Sequence, residues 1–293
     1  MLILYTENME PQSVNTLMRR CWNITPVSLD TIVKWSWENA CSDLWSRYRF
    51  WKSHFRIGEN ERTIEIGCGY GKFSLALGLS GAQVALLDYN ASALSTAVEV
   101  HGRIGLEPEA IQGDLFDLPE DLLGTFDLVC SFGTLEHFAG DQRRQAFAAC
   151  SALLRPGGLL FFTVPNRLGI FYRVAFGTRR RLAMVPRDFY EQPFSRAELL
   201  RLAKACETET AEVEGVVPLA KDFDYWIGEN ARSLLRKLGL RRRLARSNEA
   251  PPSLEAIVER LRSPSIPLAL NLLDRRLTYN LLYVGVKPVS PGE

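Results

Sequence analysis

The residues most able to do chemistry cluster in one short stretch. Thr63-Ile-Glu-Ile-Gly-Cys-Gly-Tyr-Gly-Lys72 puts Glu65 two positions before Gly67, with Gly69 and Gly71 at alternate positions after it. Thr63–Ile66 reads as a strand and Lys72–Leu79 as a helix. Glycine lets the chain turn tightly and lets a ligand approach the backbone with no Cβ in the way. The helix start adds N–H groups without intrahelical partners. The chemistry this implies is ligand binding at a strand-to-helix turn, although a tight turn also needs glycine for structural reasons alone. The dinucleotide fingerprint Gly-x-Gly-x-x-Gly differs, because here the third glycine comes one residue earlier.

The elements that must hold this turn follow an alternating pattern. Short apolar runs at Gln83–Leu87, Ala110–Gln112, Phe126–Ser131 and Leu159–Val164 read as strands. Helical stretches at Ala91–His101 and Gln142–Leu154 separate them, and Arg155-Pro-Gly-Gly158 reads as a turn. Strands apolar on both faces and joined by helices indicate a parallel sheet covered on both sides. Ser195, with Glu198 three residues on, forms a capping-box pattern for a helix over Ser195–Cys206. Thr210–Val217 and Asn280–Lys287 suit a sixth and a seventh strand. The fold class is therefore α/β, a doubly wound, Rossmann-like, seven-stranded and mostly parallel sheet with helices on both faces. Its ligand site should lie beyond the carboxyl ends of the strands.

Further acidic residues fall at those strand ends. Asp88 closes Val84-Ala-Leu-Leu-Asp88, 17 residues after Gly71, and Asp114 follows Gln112-Gly113. Glu-x-Gly-x-Gly-x-Gly resembles the first motif of class I S-adenosylmethionine-dependent methyltransferases. Phe126-Asp-Leu-Val-Cys-Ser-Phe-Gly-Thr-Leu-Glu-His-Phe138 and Leu153-Leu-Arg-Pro-Gly-Gly-Leu-Leu-Phe-Phe162 resemble later motifs of the same family. The likeness is good over residues 60–166 and looser over 193–217 and 279–288. Val164-Pro-Asn166 with the stretch Tyr190–Leu199 points to the small-molecule (type 11/25-like) branch.

The resemblance implies S-adenosyl-L-methionine as cofactor and methyl transfer to an O, N or C nucleophile of a small molecule by direct displacement. It places Glu65, Gly67 and Gly69 along the methionine portion of the ligand, with Ser131 at its end, and counts Cys68 and Gly71 among the cofactor-binding residues. Asp88 would accept the ribose hydroxyl protons, Tyr89 would stack near the adenine, and Asp114 and Leu115 would contact it. His137 is the candidate general base, set against a purely structural role at a helix start. Tyr190, Glu136 and Asp188 are further candidates. Three other readings stay open: an NAD-dependent oxidoreductase, a non-catalytic methyltransferase-like partner subunit, and a protein or tRNA methyltransferase.

Residues 1–60 read as an aromatic helical segment or lid, and 61–293 as the methyltransferase domain. Five of six tryptophans (22, 35, 37, 45 and 51) lie in the first. They serve either as core or as a lid over the cofactor. Insertions at 167–194 and 219–278 interrupt the second, and helices within them would form a cap over the substrate.

The chain has 293 residues, 46% hydrophobic and 24% charged, which excludes a disordered chain or a disulfide scaffold. Its net charge of +1 conceals a split. Residues 1–165 carry 13 basic and 19 acidic residues, net −6, and 166–293 carry 22 and 15, net +7. The basic stretches Arg179–Arg181 and Arg236–Arg246 suit an anionic acceptor or a peripheral membrane contact, whereas the low overall charge disfavours nucleic acid. Six cysteines (21, 41, 68, 130, 150 and 206) without a Cys-x-x-Cys pair read as reduced thiols. Three histidines (54, 101 and 137) lack metal-ligand spacing. The start has no basic n-region, and no run nears the ~20 apolar residues of a membrane span. A cytoplasmic location is expected.

Overall fold

The apolar runs pair into one sheet. In the computed structural model, which describes residues 26–181, 190–216, 252–264 and 277–289, seven strands form. They are β1 (Arg62–Ile66), β2 (Gln83–Asp88), β3 (Glu109–Gln112), β4 (Phe126–Phe132), β5 (Leu154–Pro165), β6 (Glu209–Gly215) and β7 (Asn280–Val286). Their order is β3-β2-β1-β4-β5-β7-β6. Strands β1 to β5 run parallel, and β7 is antiparallel to both β5 and β6. The strand order changes direction between β1 and β4, and a ligand crevice forms at such a point.

Eight α-helices accompany the sheet among the described residues: α1 (Leu29–Ala40), α2 (Asp43–His54), α3 (Lys72–Ser80), α4 (Ala91–Gly102), α5 (Gly140–Leu153), α6 (Ile170–Arg181), α7 (Arg196–Ala205) and α8 (Leu254–Arg262). Alternate strand residues face opposite sides. On one side, Ile64, Val129, Leu160, Phe162 and Tyr283 meet Phe147 and Cys150 of α5 and Leu199 of α7. On the other, Leu128, Cys130, Phe161, Leu282 and Val284 meet Trp45, Tyr48, Phe73 and Ile257 of α2, α3 and α8. Each large apolar side chain buried this way stabilises the fold by roughly 1.5–3 kcal/mol. The capping box at α7 forms as the spacing predicts.

The aromatic N-terminal helices belong to that second layer. Ser28 and Ser42 cap them by accepting from the N–H groups of Thr31 and Trp45. The Trp45 indole donates to the Leu261 carbonyl at 3.1 Å, and the Tyr48 ring meets Phe161 edge-on at 5.8 Å. Buried Arg47 bridges Asp43 of its own helix and Glu212 of β6. Two kinds of contact, apolar and ionic, therefore tie α2 to the sheet.

The Arg155-Pro-Gly-Gly158 segment is not a turn between elements but part of β5. Phe126 pairs with Leu154 and Leu128 with Leu159, so the extra β5 residues bulge out. A Cβ on Gly158 would lie 2.9 Å from the Phe126 carbonyl oxygen, which is why glycine fits there. The 167–194 insertion contains α6, and the 219–278 insertion contains α8, which packs beside α1 and α3. Asp188, the 236–246 arginine stretch and Trp22 lie outside the described residues. Among the described residues, no helix is long and apolar enough to cross a membrane.

Candidate active site

Beyond the carboxyl ends of β1, β2, β4 and β5 lies a cavity of about 580 Å³. Its floor is the glycine loop between β1 and α3. Gly67 and Gly69 take left-handed backbone angles, with φ of 61° and 53°. A Cβ on Gly67 would lie 2.3 Å from Thr134 Oγ1, whereas the same position on Gly69 meets no atom within 4 Å. The first glycine therefore permits close packing, and the second leaves the floor open. The Gly67 and Cys68 amides donate to the Leu87 carbonyl at 2.8 and 3.2 Å, which fixes the loop to the end of β2.

Asp88 is the anchor beside it. Its Oδ2 accepts from the Gly69 amide at 3.1 Å and its Oδ1 from the Asn90 amide at 2.9 Å. Burial pushes its carboxyl up from the ordinary range, and those two amides pull it back. Glu65 reaches from β1 to the first turn of α3, where its Oε2 accepts from the Ser74 amide at 3.0 Å and from the Ser74 hydroxyl. Burial raises its pKa to about 7, against the Ser74 hydrogen bonds, and the Asp88 charge adds to the rise. Asp114 and Leu115 form the far wall, with Asp114 Oδ1 accepting from the Phe116 amide at 3.1 Å. Tyr89 borders the cavity with part of its ring exposed. Burial pushes the Cys68 thiol up, so it stays protonated.

His137 lines the opposite wall. Its Nδ1 lies 2.7 Å from the Tyr190 carbonyl oxygen, which can only accept, so Nδ1 carries the hydrogen. Burial lowers its pKa, opposed by the Tyr190 and Gly133 backbones. The ring is therefore neutral at pH 7. Behind it, Glu136 is buried outside the cavity lining, and burial raises its carboxyl to about 8.

The cavity thus brings together Glu65, Gly67, Cys68, Gly69, Asp88, Tyr89, Asp114, Leu115 and His137. Besides Glu136, three sequence-derived residues stand behind its wall. Gly71 caps α3. The Ser131 hydroxyl is buried and donates to the Ile66 carbonyl at 3.1 Å, so it stitches β4 to β1. The Tyr190 hydroxyl donates to Gln192 Oε1 at 2.9 Å, and the Gln192 backbone amide donates to the Glu136 carbonyl at 2.9 Å. What Tyr190 offers the site is its backbone carbonyl.

Sequence reasoning missed Asn39, Leu44, Phe132, Thr134 and Thr163 in the lining. Thr134 had a signal, since it lies in the fourth-strand motif three residues before His137. Asn39 and Leu44 had none. Asn39 reaches the site by donating to the Lys72 carbonyl at 2.7 Å, across 33 residues of chain.

A family model described as a methyltransferase domain matches residues 64–162. A ubiquinone biosynthesis O-methyltransferase of Burkholderia orbicola is 32% identical over 171 residues, covering 56% of this chain and 72% of that protein. Its counterpart from Burkholderia multivorans is 31% identical over 179 residues, covering 58% and 75%. Among solved structures, a putative sarcosine dimethylglycine methyltransferase from Galdieria sulphuraria aligns with a TM-score of 0.55 at 14% identity, covering 84% of this chain and 85% of that one. Magnesium protoporphyrin IX methyltransferase from Synechocystis, with bound S-adenosylhomocysteine, aligns with a TM-score of 0.51 at 12% identity, covering 94% and 95%. These two likenesses are of fold. The chain belongs to the S-adenosylmethionine-dependent methyltransferases. It is an enzyme of the branch that methylates small molecules, which sets aside the nicotinamide, non-catalytic and protein or tRNA readings.

The residues present fit the cofactor. Each Asp88 oxygen spends one lone pair on a backbone amide and keeps capacity for a ribose hydroxyl. Among the described residues, the lining holds three acidic side chains, Glu65, Asp88 and Asp114, and one Lys or Arg, Lys72. That balance favours a cationic sulfonium.

Proposed function

We propose that the enzyme O-methylates the hydroxyl of a small, largely apolar, ring-bearing acceptor. The observation that carries this reading is one cavity that joins the acidic glycine-loop end to an apolar end. Leu44, Phe73, Phe132 and Phe138 line it together with the neutral imidazole of His137. The curated O-methyltransferase relatives support the choice of oxygen.

S-adenosylmethionine supplies a methyl group already attached to a good leaving group. The chain's own work is then alignment and water exclusion. In this reading Asp88 holds the ribose, while Tyr89, Asp114 and Leu115 hold the adenine. Glu65 and the Gly67–Gly69 backbone hold the amino acid end. His137 takes the acceptor's hydroxyl proton. The helices α1 and α2 act as part of the folded catalytic domain, with Asn39 and Leu44 as a wall of the acceptor site.

The test uses labelled S-adenosylmethionine with neutral and anionic phenols and catechols. The expected product is a labelled methyl ether. A preference for anionic acceptors would tie the basic stretches to recognition. Labelling of amines or carbon acceptors with no ether formed would overturn the assignment of oxygen.

A further inference from the structure

His101 is the most unusual side chain near the glycine loop that the reaction does not use. It lies in the last turn of α4, fully buried, where an apolar residue would complete the packing around Val100 and Ile104. Its Nδ1 lies 2.8 Å from the Ala97 carbonyl oxygen, so that nitrogen carries the hydrogen. Its Nε2 is buried with no hydrogen-bond partner of normal geometry among the described residues. The Ser74 backbone lies close enough to favour the charged ring, but burial dominates and lowers the pKa to about 4. A buried imidazole this poorly satisfied is a cost to the fold.

The ring lies under the site. Gly71, with φ of 62°, packs so closely on it that a Cβ there would lie 2.7 Å from His101 Cε1. The Gly71 amide donates to the Cys68 carbonyl at 2.7 Å, and the Gly71 carbonyl accepts from Leu75 at 3.0 Å. Any shift of Gly71 therefore passes both into the loop and into the first turn of α3, where Ser74 holds Glu65. On its other side His101 lines a second cavity of about 400 Å³, at the amino ends of β1, β2 and β3.

We propose that His101 is a positioning residue whose ring edge supports Gly71 and so sets the placement of the glycine-loop backbone for S-adenosylmethionine. The proposal rests on the reading of that loop as the cofactor site. His101 touches neither cofactor nor acceptor, so its effect is on cofactor affinity and not on the chemical step.

Calorimetric binding of S-adenosylmethionine is measured for the wild type, His101→Ala and His101→Phe, together with kcat and the KM of each substrate. His101→Ala is expected to weaken cofactor binding about ten-fold, with kcat at saturation and acceptor KM within about two-fold of wild type. Millimolar imidazole, entering through the second cavity, should restore much of the affinity. His101→Phe should fold but bind the cofactor several-fold more weakly, because the larger ring displaces Gly71. If the alanine variant does not fold, the phenylalanine variant decides. Wild-type affinity in a folded variant, or a joint loss of kcat and both KM values without an imidazole response, would overturn the role. Failure of the wild type to bind would instead sink the reading of the loop itself.

Discussion

The two ends of the cavity are built in different ways. The cofactor end is made of backbone amides and carboxylates spaced along a single run, from Glu65 through Asp88 to Leu115. Every carboxylate there is held by a second group: Glu65 by Ser74, Asp88 by the Gly69 and Asn90 amides, Asp114 by Phe116. The acceptor end is made of side chains from distant segments, Leu44 of α2, Phe132 and His137 at and after the end of β4, and Thr163 of β5. A ligand common to a whole family can be met by a local motif. A particular acceptor must be met by whatever the fold brings alongside.

The largest effect should come from removing residues 1–45, which breaks both ends at once. This takes away α1 and the buried Trp45, and it cuts into α2. Loss of cooperative thermal unfolding is the expected result. A folded, cofactor-binding remainder would show that the segment is a detachable lid. Next, Asp88→Ala should weaken S-adenosylmethionine binding about 100-fold, since two charge-assisted contacts are lost. The acceptor end should be unaffected, as equilibrium binding of product would show.

His137→Gln probes the other end. It should lower kcat by about 10²-fold while leaving cofactor affinity within about two-fold. Unchanged turnover would reduce His137 to a structural role. Glu65 gives a smaller, pH-dependent effect. Its folded pKa of about 7 lies above the ordinary 4.5, so its contribution to stability is present below about 4.5 and is lost as pH rises through 7. A cationic ligand favours the ionised form, so cofactor affinity should rise between about pH 6 and 8, by no more than about ten-fold for each step of one in pH. Glu65→Gln should flatten that slope. Tyr190→Phe should be the mildest, costing about 0.5–1.5 kcal/mol in stability for the lost hydroxyl hydrogen bond and leaving kcat near wild type, because its carbonyl and not its hydroxyl touches His137.

The same division explains what could be read from the sequence. The strands of the cofactor half were legible because apolar runs bounded by glycine admit few alternatives. The predicted Thr63–Ile66 and Gln83–Leu87 fall within β1 and β2, each one residue short. Glu65, Gly67, Gly69, Asp88 and Asp114 were legible as lining residues because they fall at strand ends and in the glycine turn after β1. Ser131 falls outside the cavity lining because the alternation of its strand turns its hydroxyl to the Ile66 carbonyl. The β5 bulge was misread because Pro-Gly-Gly signals a turn whether or not a neighbouring strand is present to pair across it. Asn39 and Leu44 could not be found, since nothing local marks a contact made by packing whole helices.

The most direct test of the account is a crystal structure with S-adenosylhomocysteine bound. The account predicts the ribose hydroxyls on the Asp88 carboxylate, the adenine between Tyr89 and Leu115, and the sulfur directed toward the His137 end of the cavity. The nucleoside bound elsewhere, or its ribose turned away from Asp88, would contradict it.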